Sequence, residues 1–464
     1  MRCRVELLIV AIALATCHAS AEAVLKDSVY TVKTAGQTAV VRVLTSSATC
    51  PTVLWDLKTS QIMSVRAAAS VAPTHVQPAA VRHALFDVLT CEAAWPDGVR
   101  SAQINGQEVP APAAETKRIV IVADTGCRMK AAEQAFQECN NPKQWPFAQV
   151  AQSAAAMKPD LVIHIGDIHY RESPCPKDNA GCQDSPWGYG YDAWRADFFE
   201  PARPLLAAAP WVFVRGNHES CNRAGQGWFR FIDGQPWEQE RSCDDPAQDG
   251  RADYSSPYAV PIAADTQIIV FDSSSAVNKT LHEHDESFDK YAGQLKQVAQ
   301  LARDKSNNFF LSHHPLLAFL TNKHSHEVFP AGNKGLLSVF GSQYPQTLFP
   351  PGITLAMHGH VHLFEYLGFS SAHPPTLILG NSGSAMDGHA PTRLPADAQA
   401  YPGARVKDYS VSSEYGFATI EQGQGQSGPA WRFTEYTVDG QPTFTCILSA
   451  IDKGCRYVGK NNSQ

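Results

Sequence analysis

Six short apolar runs, at residues 119–123, 161–165, 211–214, 267–271, 309–311 and 353–357, recur between polar and glycine-containing stretches of the chain. Each has strand length, and near-continuous apolar sequence is what a strand covered on both faces requires. Helix-like segments separate several of them, notably 147–157 and 287–305. The second carries Ser287 as a candidate cap and places its apolar residues at helical spacing. Alternation of this kind predicts α/β layers, in which ligands gather where strands end and loops begin.

Five of the six runs end in residues able to bind a hard or borderline metal. In order they are ADTGC with Asp124, GDIHY with Asp167, His169 and Tyr170, RGNHES with Asn217, His218 and Glu219, LSHHP with His313 and His314, and MHGHVH with His358, His360 and His362. One aspartate after a strand is ordinarily a turn or capping residue. Five coincident strand ends are not explained that way. The GHVH element is the sharpest, because two histidines one residue apart can each reach one of two adjacent metals. Glycines beside Asp167, Asn217 and His360 fit tight turns that let the backbone clear a bound phosphate.

Composition bounds the alternatives. The chain has 464 residues, is 44% hydrophobic and carries a formal charge of -7, so it can bury a real core and has no basic footprint for nucleic acid. Residues 1–23 read as an export signal, with Arg2 and Arg4 before an apolar run at 7–16 and Ala19-Ser20-Ala21 as a cleavage site. That predicts a secreted or periplasmic protein without a membrane anchor. Of twelve cysteines, Cys3 and Cys17 fall in the signal. The remainder are expected to pair with near neighbours: Cys50 with Cys91, Cys127 with Cys139, Cys175 with Cys182, Cys221 with Cys243 and Cys446 with Cys455. Residues 24–110 hold β-branched stretches such as 29–32 and 39–43 and predict a small β-rich domain. A Pro- and Ala-rich linker at 109–115 precedes a main domain over 118–450, whose 416–446 segment is again strand-like.

The ordered set DxG, GDxxY, GNHE, HxP and GHxH resembles the calcineurin-like metallophosphoesterase superfamily and, within it, the purple acid phosphatases, over about residues 118–390. The resemblance implies a four-layer sandwich, two mixed β-sheets flanked by helices, with a binuclear site at one edge. Most relatives open with DxH, whose histidine binds the first metal; here Gly126 stands there. Tyr170, three residues after Asp167, has the spacing of an iron-binding tyrosinate. The resemblance implies that Fe3+ takes Asp124, Asp167, Tyr170 and His362, with Asp167 bridging. The second metal, Fe2+, Zn2+ or Mn2+, takes Asp167, Asn217, His313 and His360. Oxygen donors suit the harder ion, imidazole and amide the softer one.

By the same resemblance His218 is the candidate general acid, Glu219 orients it, and His314 faces the substrate. The implied activity is hydrolysis of small phosphate monoesters in acid by metal-bound hydroxide, an acid phosphatase. The alternatives are a phosphodiesterase, nucleotidase or sphingomyelinase-like relative, or a secreted protein that binds metal or phosphate without catalysis. His164, His169 and His358 are read as packing residues, and His282, His284, His324 and His326 as solvated loop residues.

Overall fold

The computed structural model describes residues 27–36, 39–72, 84–322, 324–387, 390–425, 428–448 and 456–457. The export signal and Cys455 lie outside them. Two large sheets dominate the described residues. The first has eleven strands, in spatial order Arg456–Tyr457, Pro442–Leu448, Gly428–Thr437, Gly416–Gly425, Arg118–Val122, Leu161–Ile165, Trp211–Val214, Ser28–Lys33, Ala39–Thr45, Leu89–Ala94 and Ser64–Ala67. The second has seven, in the order Tyr258–Pro261, Thr266–Val270, Asn307–Leu311, Ile353–His358, Thr376–Leu379, Phe364–Phe369 and Val406–Ser412.

The runs read as strands pair in parallel, in register: Ile121 with Ile163, Ile163 with Val212, Phe310 with Ala356. Parallel pairing sends their C-terminal ends to a common edge within each sheet, which is why ligand residues that are far apart in sequence can meet. Side chains alternate across the first sheet with the two-residue period of a strand. Ile119, Ile121, Ile163, Ile165, Val212 and Val214 pack against the second sheet, where they meet Ile268, Phe309, Leu311 and Met357. Val120, Val122, Val162 and Phe213 face the other way, into a cluster containing Phe147, Val150 and Ala154. These last come from the helix Phe147–Ala156, one face of which is buried. Behind the second sheet lies the helix Glu286–Leu301, seated through Phe288, Tyr291, Leu295 and Val298. The result is the expected sandwich of two mixed sheets between helical layers.

Two helix boundaries differ from expectation. Asp285, not Ser287, is the N-cap residue of Glu286–Leu301; Ser287 sits inside the first turn, its Oγ 2.9 Å from the Tyr254 hydroxyl. The helix also stops at Leu301, short of Lys305. Asn308 Nδ2 donates to the carbonyls of Ala302 and Lys305 at 3.0 and 2.9 Å, satisfying polar groups that a longer helix would have paired internally.

Residues 110–117 hold no regular structure, but the β-rich N-terminal region does not stand apart from the main domain. Ser28–Lys33 pairs in parallel with Trp211–Val214 through Val32 and Trp211, so four N-terminal strands extend the large sheet. Arg42 and Arg66, both buried, donate to the carbonyls of Phe231, Asp233 and Phe229 and pair with Glu92. Strand composition could show that this region was β; it could not show which sheet edge it would join. Among the described residues four disulfides form as expected, Cys50–Cys91, Cys127–Cys139, Cys175–Cys182 and Cys221–Cys243. Among the same residues no helix is long and apolar enough to cross a membrane.

Candidate metal centre

Three of the expected ligands adopt left-handed backbone conformations: Asp124 with φ 54°, Asp167 with φ 55° and His360 with φ 71°. Such strain persists only where surrounding contacts enforce it. Here the Asp124 N–H donates to Gly166 O at 3.0 Å and the Thr125 N–H to Asp167 O at 3.1 Å. Glu219 accepts from the backbone N–H groups of Asp167, Ile168, His169 and Gly216 at 2.8 to 3.1 Å. Gly216 is required in this turn, since a Cβ there would lie 2.2 Å from the Asp167 nitrogen.

All seven expected ligands converge. The Tyr170 hydroxyl lies 3.0 Å from Asp124 Oδ1, 3.0 Å from Asp167 Oδ2 and 2.8 Å from His362 Nε2, so two carboxylate oxygens and an imidazole nitrogen crowd one phenol. On the other side of Asp167, His313 Nε2 is 3.0 Å from Oδ2. His360 Nδ1 is 3.0 Å from Asn217 Oδ1. Donor atoms of Asp167, His313 and His360 all lie within 4.8 Å of one another, and Asp167 stands between the two groups.

The chemistry of this donor set fits cations. Asp124, Asp167 and Tyr170 are at most 1% exposed, and buried carboxylates need compensating positive charge. Burial raises the Asp124 carboxyl against the pull of His313 and His362. Burial also opposes ionisation of Asp167, but the His313 and His218 charges hold it well below the usual range. Burial, then Asp167 and Asp124, push the Tyr170 phenol well above its ordinary value. Despite burial, the neighbouring carboxylates push His313 and His362 up to about 9. The acids thus draw protons onto the very imidazoles that would serve as ligands. His313 Nδ1 is satisfied by Ile165 O at 2.8 Å, while its Nε2, aimed into the cluster, meets Asp167 Oδ2 at 3.0 Å without hydrogen-bond alignment. A metal would replace those protons.

Gly126 and Tyr170 pack closely against each other at this corner. A Cβ on residue 126 would meet Ile168 O at 2.5 Å, Asp197 Oδ2 at 2.9 Å and Tyr170 Cδ2 at 2.9 Å. The tyrosine ring fills the room that a histidine would need. We expect Gly126→Ala to destabilise the fold by about 1–3 kcal/mol through overpacking and to displace Tyr170. Denaturant unfolding measured alongside metal content checks this, and an unchanged midpoint would show that the corner relaxes freely.

His218 also reaches the centre. Its backbone N–H donates to Asp167 Oδ1 at 2.8 Å, its Nε2 is 3.8 Å from Asp167 Oδ2, and its ring lies 3.8 Å from that of Tyr170. Glu219 does not orient it: both Glu219 oxygens are taken by the backbone of the Asp167 turn, and the carboxylate that meets His218 Nδ1, at 2.8 Å, is Glu172. The His314 ring lies tilted, 4.2 Å from that of His360, and is buried, with Nδ1 3.2 Å from Ser273 Oγ. His164, His169 and His358 are fully buried, and His282, His284, His324 and His326 are exposed.

Sequence reasoning missed several supports. Asp197 accepts from the backbone of Cys127 and Tyr170 and from the Arg171 guanidinium, fixing the tyrosine. Asp387 accepts from the His362 N–H at 3.0 Å. Neither sits at a strand end, and no spacing ties either to the ligands. The cluster of Cys221, Cys243 and Asp253 has metal-like spacing, but its sulfurs are bonded to each other.

A family model for calcineurin-like phosphoesterases matches residues 117–364. Among solved structures, purple acid phosphatase PPD1 from yellow lupin (Lupinus luteus) seeds superposes with a TM-score of 0.53 at 14% identity, over 93% of this chain and 77% of that one. The structure of PhoD superposes with a TM-score of 0.51 at 11% identity, over 94% of this chain and 92% of that one. At such identities the likeness is one of fold. No curated protein sequence matches the chain.

Proposed function

Because this chain belongs to the calcineurin-like phosphoesterase family, we propose that it is an exported phosphomonoesterase of the purple acid phosphatase type, working in acid on small phosphorylated substrates. Family membership makes it a phosphoesterase and implies a binuclear metal centre; the narrower reading is ours. The observation that carries it is the meeting of Asp124, Asp167 and His362 around the Tyr170 hydroxyl, with Asn217, His313 and His360 beyond Asp167.

In this reading Fe3+ would be held by Asp124, Asp167, Tyr170 and His362, and Fe2+, Zn2+ or Mn2+ by Asp167, Asn217, His313 and His360. When bound, the two cations supply charge neutralisation for a phosphate dianion and an activated water at low pH. The chain supplies the rest. Asp167 spans the two positions, and the Glu219 clamp on its turn holds it there. The left-handed turns at Asp124 and His360 keep both side chains aimed inward. Nε2 of His218 faces the centre and, as general acid, gives its proton to the departing alkoxide oxygen as the phosphorus–oxygen bond breaks. No side chain needs to be phosphorylated, and His314 lines the substrate side. The four disulfides support an oxidising compartment.

Two measurements test the proposal. Relative rates on a phosphomonoester and a diester should favour the monoester, and a strong diester preference overturns the choice of substrate. Iron-replete protein should be coloured by tyrosinate-to-iron charge transfer, and Tyr170→Phe should bleach it while the unfolding midpoint stays close to wild type. Colourless wild type at full iron occupancy would remove Tyr170 from the ligand set.

A further inference from the structure

His218 is held from behind by residues drawn from two separate loops. Glu172 Oε1, 2.8 Å from His218 Nδ1, is also clasped by Arg223, through Nε at 2.9 Å and through Nη2. Arg223 Nη2 lies 2.6 Å from each His218 ring nitrogen, equidistant and so aligned with neither lone pair. Arg223 also shares a side-chain hydrogen bond with Tyr189. Tyr189 lies near the end of the loop that follows Tyr170, and Arg223 stands near the start of the loop that follows GNHE. Both loops are braced by disulfides, Cys175–Cys182 and Cys221–Cys243. The Tyr170 ring closes the other side of the imidazole.

We infer that Arg223, tied to Tyr189, is a positioning residue that holds Glu172 against His218 Nδ1 and so aims Nε2 at the leaving oxygen of the substrate. This rests on the reading of His218 as general acid. A carboxylate on a loop can rotate; a guanidinium fork fixes its plane, and a lysine cannot reproduce that grip. His218 Nδ1 has a second acceptor in the His169 carbonyl at 3.0 Å, so the Nδ1 side of the ring is committed to the scaffold. The proton transferred therefore leaves from Nε2, and Nδ1–H stays toward Glu172 and the carbonyl. Arg223, with its side chain only 15% exposed, is occupied by Glu172, Tyr189 and His218, which leaves it poorly placed to bind substrate.

General-acid help matters most for poor leaving groups, so the experiment compares ethyl phosphate with p-nitrophenyl phosphate in His218→Ala, Arg223→Met, Arg223→Lys and Tyr189→Phe, with metal content and unfolding midpoint measured for each. For Arg223→Met we expect kcat on ethyl phosphate to fall ~10- to 100-fold, a part of the ~10²- to 10⁴-fold that a general acid contributes, with KM and the p-nitrophenyl rate changed less than ~3-fold. Arg223→Lys should recover little, and Tyr189→Phe should show a weaker loss with the same substrate split. Equal losses on both substrates with a raised KM would mean that Arg223 binds phosphate directly, which overturns the inference. If Arg223→Met does not fold, Tyr189→Phe carries the same test, and absence of a split there overturns it. A His218→Ala enzyme without leaving-group selectivity would sink the general-acid reading itself. Selectivity in His218→Ala but not in the Arg223 and Tyr189 variants would sink the positioning role alone.

Discussion

Asp167→Ala is expected to empty both metal positions and lower kcat/KM by ~10³-fold or more, the equivalent of several kcal/mol of transition-state stabilisation. The reason is geometric. Asp167 Oδ2 lies 3.0 Å from both the Tyr170 hydroxyl and His313 Nε2, and Oδ1 accepts the His218 N–H. Its removal would take from two cations the ligand we propose they share and would leave His313 without its carboxylate partner. Asn217→Ala gives the contrast. It deletes one amide oxygen, beside His360, and should leave about one metal per chain with the colour intact. Elemental analysis of the dialysed variants separates the two cases, and an Asp167→Ala protein that retains two metals per chain would end the bridging assignment.

His218→Ala is the second large effect. Loss of a positioned general acid costs ~10²–10⁴-fold, and the loss should fall on alkyl phosphates, whose alkoxides leave badly, far more than on p-nitrophenyl phosphate. Metal content should stay near wild type, because His218 approaches the centre through its backbone N–H and an Nε2 at 3.8 Å, and is no member of the seven-residue donor set. Steady-state kinetics on the two substrates give the answer directly. A uniform loss on both, with metal retained, would assign His218 to phosphate binding.

The candidate ligand set was legible in the chain because strand-end chemistry is local. A parallel strand presents its last residue and the following turn to the same edge whichever neighbours it has, so Asp124, Asp167, Asn217, His313, His360 and His362 could be picked out one strand at a time. The disulfide pairs were readable for a related reason: each joins cysteines close enough in sequence that loop closure is easy, at separations of 7 to 41 residues. Tyr170 was readable from its spacing to Asp167, but why glycine must stand at 126 was not. That is a matter of van der Waals volume, the Ile168 carbonyl and the tyrosine ring lying 2.5 and 2.9 Å from where a Cβ would be, and volume belongs to packed neighbours.

The supports that hold the site in place were hidden, and the misassignment of Glu219 shows why. Adjacent to His218 in sequence, it looked like that residue's partner. In the folded chain a 3-10 turn over Asn217–Glu219 swings its carboxylate away to collect three backbone N–H groups of the neighbouring strand end and that of Gly216, and Glu172 takes the place beside His218. The same holds for Asp197 and Arg223, and for the N-terminal strands that join the large sheet at Trp211. Ligand identity follows from what a side chain can coordinate, which composition and order along the chain carry. Orientation follows from which hydrogen-bond donors and acceptors are left unpaired once strands and loops have packed, and those partners come from anywhere in the sequence.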